Sequence, residues 1–131
     1  MKLLVQGDDF GFTRGVTLGI VDSIDRGILR NTGLFANMPA AEFAVNFMKD
    51  RPQVCFGIDF NFVAGKPVSK AEDVPHLVDE SGYFIKSGVR IKDDLWKSEE
   101  GRRQLFPKDE VVREIRAQYE RFIAMTGQKP G

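Results

Sequence analysis

Two adjacent carboxylates near the start of the chain are the residues best suited to do chemistry. Asp8 and Asp9 follow the apolar run at residues 3–5 and precede the turn residue Gly11. An apolar run of this length predicts a buried strand, and side chains at the carboxyl ends of parallel strands line the active face of α/β folds. Because two neighbouring negative charges repel, a cation or a proton would have to separate them. The alternative is a solvated acidic turn.

A third carboxylate lies in a segment with the alternation of a strand. Residues 54–62 place bulky apolar side chains on one face, while the other face carries Cys55, Gly57, Asp59 and Asn61. The bulky face would pack under helices, and the small polar face would line a barrel interior or a cleft. A carboxylate in that position needs a group that compensates its charge. The alternative is an edge strand whose polar face is wet.

Helical and strand patterns alternate around these carboxylates in the order β-α-β-α-β-loop-α. The first helix is expected between Thr13 as N-cap and Gly27 as C-cap. Its expected apolar face consists of residues at helical spacing: Val16, Leu18, Ile20, Val21, Ile24 and Ile28. A strand over residues 32–38 and a helix over residues 40–50 follow. The clearest helix covers residues 108–125, which carry an apolar stripe at helical spacing.

The order of these elements predicts an α/β fold. Strands joined by helices are expected to be parallel, with right-handed crossovers. Residues 64–108 lack clear periodicity and indicate a functional loop or cover, in which residues 83–85 form a short strand or an apolar plug. We expect a single domain over residues 1–131. Since three strands cannot close a barrel, the chain is interpreted as the opening part of a larger β/α fold.

Bulk composition excludes several classes of protein. The 131 residues carry 19 basic and 19 acidic side chains and no net charge, so nothing favours a nucleic-acid partner. The apolar run at residues 3–5 is too short for a membrane span or a secretory signal. The single cysteine, Cys55, excludes an intramolecular disulfide and suits a reducing compartment. We therefore expect a cytoplasmic protein with neither a nucleic-acid nor a membrane partner.

Several motifs, taken in order, resemble one enzyme family along almost the whole chain. They are GDDFG (7–11), RGVTLGI (14–20), ANMPAA (36–41), GIDFNF (57–62), GKPV (65–68), VPHLVD (74–79) and TGQKP (126–130). In this order they resemble the N-terminal portion of the YdjC-like carbohydrate deacetylases, which include the chitooligosaccharide deacetylases. The resemblance implies a β/α barrel, of which this chain supplies the first three parallel βα units and a further helix.

The resemblance also implies a reaction and roles for the acidic residues. The family uses a divalent metal to hydrolyse N-acetyl groups of chitin-type oligosaccharides, so the implied partner is an acetylated amino-sugar oligosaccharide. By position, Asp8 resembles the general base and Asp9 the first metal ligand. In such a pair one carboxylate holds the cation that lowers the pKa of water, and its neighbour takes the proton.

The chain departs from the family pattern at the metal ligands. Asp59 stands where the family has a metal-binding histidine, and the family's next one lies just beyond the segment at which this chain ends. His76, the one histidine, matches no ligand position and is interpreted as a surface or packing residue. With Asp9 and Asp59 as ligands, Mg²⁺ is favoured over Zn²⁺. We therefore expect this short chain to be impaired or inactive as a hydrolase.

Two other functions and an assembly state follow from the same patterns. A non-catalytic binding or assembly module could retain the front half of the fold. Less favoured is a receiver-like signalling domain, in which Asp8, Asp9 and Asp59 would form an acidic pocket holding magnesium. Finally, an incomplete parallel sheet exposes an edge, which predicts a homo-oligomer.

Overall fold

A computed structural model describes residues 3–131, which form two compact units. The sheet unit comprises the described residues up to Phe60 together with Tyr119–Gly131, and the loop unit comprises Asn61–Gln118. The single domain expected over residues 1–131 stays a prediction, and its first two residues lie outside the described ones.

A three-stranded parallel sheet forms the centre of the sheet unit, in the order β1-β2-β3. The strands are β1 (Gln6–Phe10), β2 (Asn31–Leu34) and β3 (Cys55–Ile58). Helix α1 (Arg14–Arg26) connects β1 to β2, and helix α2 (Ala41–Val45) connects β2 to β3. The parallel pairing of three strands joined by helices confirms the α/β class.

The first strand differs from its prediction. The apolar run at residues 3–5 precedes β1, and Leu3 and Leu4 are each 72% exposed, so this run is not a buried strand. Pairing with β2 begins only at Gln6, and the strand itself contains Asp8 and Asp9. The prediction was wrong because apolar composition was taken to mark the strand, whereas the pairing with β2 decides where it lies.

Helix α1 begins and ends where the sequence predicts. The Thr13 hydroxyl accepts a hydrogen bond from the Val16 N–H at 3.1 Å, and Gly27 is the C-cap. The predicted apolar face is only partly correct, since Leu18 is 49% exposed and Ile28 lies beyond the helix and is 67% exposed. The side chains that α1 buries follow helical spacing: Thr17, Ile20, Val21 and Ile24.

The next elements are shorter than their predictions. Strand β2 stops at Leu34 instead of residue 38, because the chain then turns, with the Met38 N–H donating to the Phe35 carbonyl at 3.2 Å. Helix α2 covers five of the residues 40–50. Strand β3 ends at Ile58 instead of residue 62.

The polar face predicted for residues 54–62 does not extend to Asn61. This residue is only 3% exposed, and its side-chain oxygen accepts hydrogen bonds from the N–H groups of Val63 at 3.0 Å and Ala64 at 3.1 Å. An asparagine that bonds the backbone two residues ahead favours a turn. The turn therefore replaces the end of the predicted strand.

The core of the sheet unit forms on the apolar face of the strands. Phe10 and Leu34 are completely buried, and the ring of Phe10 lies 5.6 Å from that of Phe56. Ile24 of α1 and Phe122 join this cluster. Burial of one such side chain contributes roughly 1.5–3 kcal/mol, so this face holds the strands and helices together.

The loop unit contains more helix than the sequence predicts. It includes 3₁₀ turns at Ala71–Asp73 and Asp94–Lys97, and the helices α3 (Ser87–Arg90) and α4 (Glu99–Leu105). Of residues 83–85, which were expected to form a short strand or an apolar plug, Phe84 is 2% exposed and packs with Val74 and Leu77, whereas Tyr83 is exposed. Phe84 also makes a single antiparallel bridge with Val78, so the plug carries one strand-like pairing.

Helix α5 (Lys108–Thr126) confirms the predicted helix to within one residue at its end. Its buried side chains in the loop unit, however, are polar, and lie one turn apart: Glu110, Glu114 and Gln118. We call these three residues the polar row. Among residues 3–131, no helix is long and apolar enough to cross a membrane.

The polar row binds the backbone of the preceding loop. The Glu114 carboxylate accepts the N–H groups of Val68 and Ser69, each at 2.9 Å. The Gln118 carboxamide accepts the Asn61 N–H at 3.0 Å and donates to the Asn61 carbonyl at 2.7 Å. Because a buried backbone group without a partner costs about 1–3 kcal/mol, these side chains order a segment that has no regular structure.

Candidate active site

A β-bulge presents Asp8 and Asp9 together. Gly7 pairs with Thr32 and Phe10 pairs with Leu34, so β1 has one residue more than β2 between the two pairs. Residues three apart on a regular strand face opposite sides of the sheet. The extra residue lets both Gly7 and Phe10 face the core while both carboxylates are exposed. The two carboxylates of the sequence motif are therefore part of the strand and not of a turn after it.

The bulge places Asp9 in a strained backbone conformation. Its φ of 69° is positive, which no other non-glycine residue among residues 3–131 shows. Aspartate adopts this left-handed region more readily than most residues, although it still costs about 1 kcal/mol. Such strain occurs preferentially at functional sites.

Asp59 joins the two bulge residues from β3. Its N–H donates to the Leu34 carbonyl at 3.1 Å, which continues the pairing beyond the end of the strand. Its carboxylate lies against the backbone of Gly33, where a Cβ would overlap it. The N–H of Asp9 donates to this carboxylate. The structure therefore brings together the three acidic residues that the sequence singled out.

The surroundings of Asp59 disfavour its charged form. Partial burial raises the pKa of the Asp59 carboxyl above its ordinary value, and the negative charges of Asp8 and Asp9 raise it further. The hydrogen bond from the Asp9 backbone lowers the same pKa without reversing the shift. A group of this kind is stabilised by any cation that approaches the cleft.

Two carboxamides beside Asp8 complete the polar face. The Gln6 Nε2 donates to Asp8 Oδ1 at 2.9 Å, and the Asn31 Nδ2 donates to Gln6 Oε1 at 2.6 Å. Gln6 and Asn31 line a cleft on the same sheet face as Gly33, Gly57 and Asp59.

The predicted site residues did not include Gln6, Asn31 or Gly33. For Gly33 there was a usable signal, because a glycine inside a predicted strand often marks a close approach by another group. For the two carboxamides the signal lies in the register of β1 against β2, which the sequence does not show.

The acidic residues do not form an all-protein metal cage. In the part of the chain that the structure describes, no three Asp, Glu, His or Cys side chains are arranged to coordinate one ion. His76 belongs to the loop unit, where its Nδ1 lies 2.6 Å from Glu110 Oε1 and its side chain is 60% exposed. This agrees with its interpretation as a surface or packing residue. The residues present thus do not fit a complete zinc site, which needs about four ligands.

Comparison with known proteins gives a consistent result. Residues 2–131 match the family model of YdjC-like proteins. The chain is 36% identical over 130 residues to carbohydrate deacetylase 2 of Listeria innocua, covering 99% of this chain and 47% of that protein. It is 45% identical over 92 residues to the carbohydrate deacetylase of Thermoanaerobacter pseudethanolicus, covering 70% of this chain and 37% of that protein.

A solved structure shares the fold. A crystal structure from Enterococcus faecalis V583, of a protein provisionally described as a cellobiose-phosphate cleavage protein, superposes with a TM-score of 0.78 at 29% identity. The match covers 97% of this chain and 45% of that one. The chain thus spans about half the length of the relatives it matches. Since the family match runs through essentially all of it, the chain belongs to the YdjC-like protein family.

Proposed function

We propose that this chain takes part in the hydrolysis of N-acetyl groups on chitin-type oligosaccharides, with Asp8 as the general base. The observation that carries the proposal is the bulge, which exposes Asp8 and Asp9 together beside Asp59. The carbohydrate deacetylases among the relatives support the reaction class, and family membership favours it over a receiver-like signalling domain.

The proposed step is the attack of water on the acetyl carbonyl carbon. The Asp8 carboxylate accepts a proton from the water as its oxygen bonds to that carbon. The C–N bond then breaks, the nitrogen takes up a proton, and the products are acetate and a free amino sugar. The exposure of Asp8 on the cleft side of the sheet is what allows a substrate to reach it.

We also propose a partial Mg²⁺ site at Asp9 and Asp59. Mg²⁺ commonly keeps several water ligands and needs only one or two carboxylates, so a set smaller than a protein cage suits it better than it suits Zn²⁺. The raised pKa of Asp59 beside two other carboxylates supports a cation there. When bound, the ion would supply a polarised water. Because Asp59 stands where the family has an imidazole ligand, we expect hydrolysis to be impaired.

The same proposal covers fold, location and assembly. Three consecutive parallel βα units, with the 0.78 TM-score to a protein about twice as long, support the first part of a β/α barrel. One cysteine, exposed on β3, suits the reducing cytoplasm.

The exposed Leu3 and Leu4 beside β1 favour a homo-oligomer. Sedimentation at several protein concentrations tests this assembly state. A monomer at every concentration would contradict it.

Acetate release from chitotriose, with Mg²⁺ and with chelator, tests the function. Asp8→Asn should lower the rate by about 10²-fold or more, the contribution of a general base. Asp22→Asn is the matched control, because Asp22 is an exposed residue of α1. Equal rates for the wild type and Asp8→Asn would overturn the role of Asp8. Chitotriose binding without acetate release would instead favour a non-catalytic binding module.

A further inference from the structure

We propose that Gln6 and Asn31 are positioning residues for Asp8, acting as a hydrogen-bonded relay that fixes the orientation of its carboxylate. The inference rests on the proposed function, since it assigns these residues a purpose through Asp8. Neither side chain would touch the substrate's reacting atoms in this role. They act in series, with Asn31 orienting Gln6 and Gln6 orienting Asp8.

The sheet aligns the three side chains. Gln6 of β1 and Asn31 of β2 are register partners, so their side chains stand next to each other on one face. Gln6 and Asp8 are two residues apart on the same strand and therefore also share that face. The result is a continuous row of two hydrogen bonds, 2.6 Å from Asn31 to Gln6 and 2.9 Å from Gln6 to Asp8.

The charge of Asp8 sets the direction of the whole row. An ionised carboxylate only accepts hydrogen bonds, so Gln6 must present its NH₂ group to Asp8. Its oxygen then faces Asn31, which must in turn present its own NH₂ group. A donor is thus required at position 31, and a residue that both accepts and donates is required at position 6.

Orientation is what the relay contributes. Asp8 is exposed on a bulge, where its carboxylate would otherwise rotate freely. The hydrogen bond from Gln6 engages Oδ1, and Oδ2 is left to accept the proton of the attacking water. Since both bonds are between exposed groups that water also solvates, their loss should affect the rate more than the stability.

Kinetic variants test the relay. Gln6→Met removes both bonds at nearly the same size, and Gln6→Glu keeps the acceptor for Asn31 but removes the donor to Asp8. Asn31→Asp should reverse the Gln6 amide, turning its oxygen toward Asp8. Each should lower kcat for acetate release by about 10- to 100-fold, the loss typical of a misplaced catalytic group, with KM nearly unchanged. Gln53→Met, at an exposed position, is the control.

The serial arrangement also predicts a double-mutant result that a merely structural role of these residues would not produce. Asn31→Ala should lower kcat in the wild type and have no further effect in the Gln6→Met background. Additive losses would overturn the relay. If Asp8→Asn abolishes acetate release while Gln6→Met leaves kcat unchanged, the relay is wrong and the proposed function stands.

NMR of the side-chain amides tests the relay without any activity. In the ¹⁵N-labelled chain, Asp8→Asn should shift the amide resonances of Gln6 and, through it, of Asn31. In the Gln6→Met background the same change should leave Asn31 unaffected. If Asp8→Asn leaves the side-chain amide resonances of Asn31 unchanged, the relay is wrong. If Asp8→Asn shifts them but leaves acetate release unchanged, or if the wild type releases none, the proposed function fails while the relay geometry is upheld.

Discussion

The Asp59 carboxylate lies on the backbone of Gly33, so closely that no side chain fits between them. Gly33 and Gly57 are register partners on β2 and β3, and Asp59 follows β3 directly. The glycine at position 33 is therefore a condition for bringing Asp59 to the two carboxylates of β1.

Gly33→Ala should lower the free energy of unfolding by about 1–3 kcal/mol, because the new Cβ overlaps the Asp59 carboxyl group. Denaturant unfolding measures it. Gly57→Ala is the matched control, since a Cβ there meets nothing closer than 3.7 Å. Asp59→Ala in the Gly33→Ala background should recover most of the loss. Equal effects of the two glycine substitutions would contradict the close approach.

Asp59→Asn should make the metal-free fold more stable at neutral pH. The folded-state pKa of Asp59 lies above its ordinary value of 3.8, so the wild type loses stability as the pH rises from there through the folded-state pKa. Asparagine has no such dependence. The advantage of Asp59→Asn should therefore shrink as the pH falls through the folded-state pKa towards that ordinary value. Denaturant unfolding in chelator from about pH 3 to about pH 7 measures it, and an advantage independent of pH would refute it.

Asp9→Gly should be more stable than Asp9→Ala by about 1 kcal/mol, because alanine at a φ of 69° is strained and glycine is not. Both variants remove the same charge, so the comparison isolates the backbone. The control pair is Asp8→Gly and Asp8→Ala. Here the glycine variant should not be the more stable of the two, since φ at Asp8 is not positive. Thermal unfolding measures the stability of all four variants. An Asp9→Ala variant more stable than Asp9→Gly would contradict the strained backbone of the bulge.

Glu114→Gln should destabilise the protein by about 1.5–3 kcal/mol, because the buried carboxylate accepts two backbone N–H groups and the Gln118 amide. A glutamine there turns one donor toward other donors. Glu120→Gln, exposed on the same helix, is the control and should change stability very little. Similar unfolding midpoints for the two variants would contradict the role of the polar row.

Local signals in the sequence were enough for part of this structure. The N-cap Thr13 and C-cap Gly27 bound α1 as predicted, and the periodicity over residues 108–125 located α5. Capping and periodicity act within a few residues, so sequence shows them directly. The two-residue alternation also placed Asp59 on the face that it shares with Gly57 of β3, and the order of elements implied the parallel sheet.

Only the tertiary structure decided how the site is assembled. The bulge that exposes Asp8 and Asp9 together, and the pairing of Gln6 with Asn31, depend on the register of β1 against β2. The buried Glu114 and Gln118 were not predicted, because polar residues are expected on the wet side of a helix unless distant backbone groups need partners. Register and hydrogen-bond demand arise between segments far apart in the chain, and sequence periodicity reports neither.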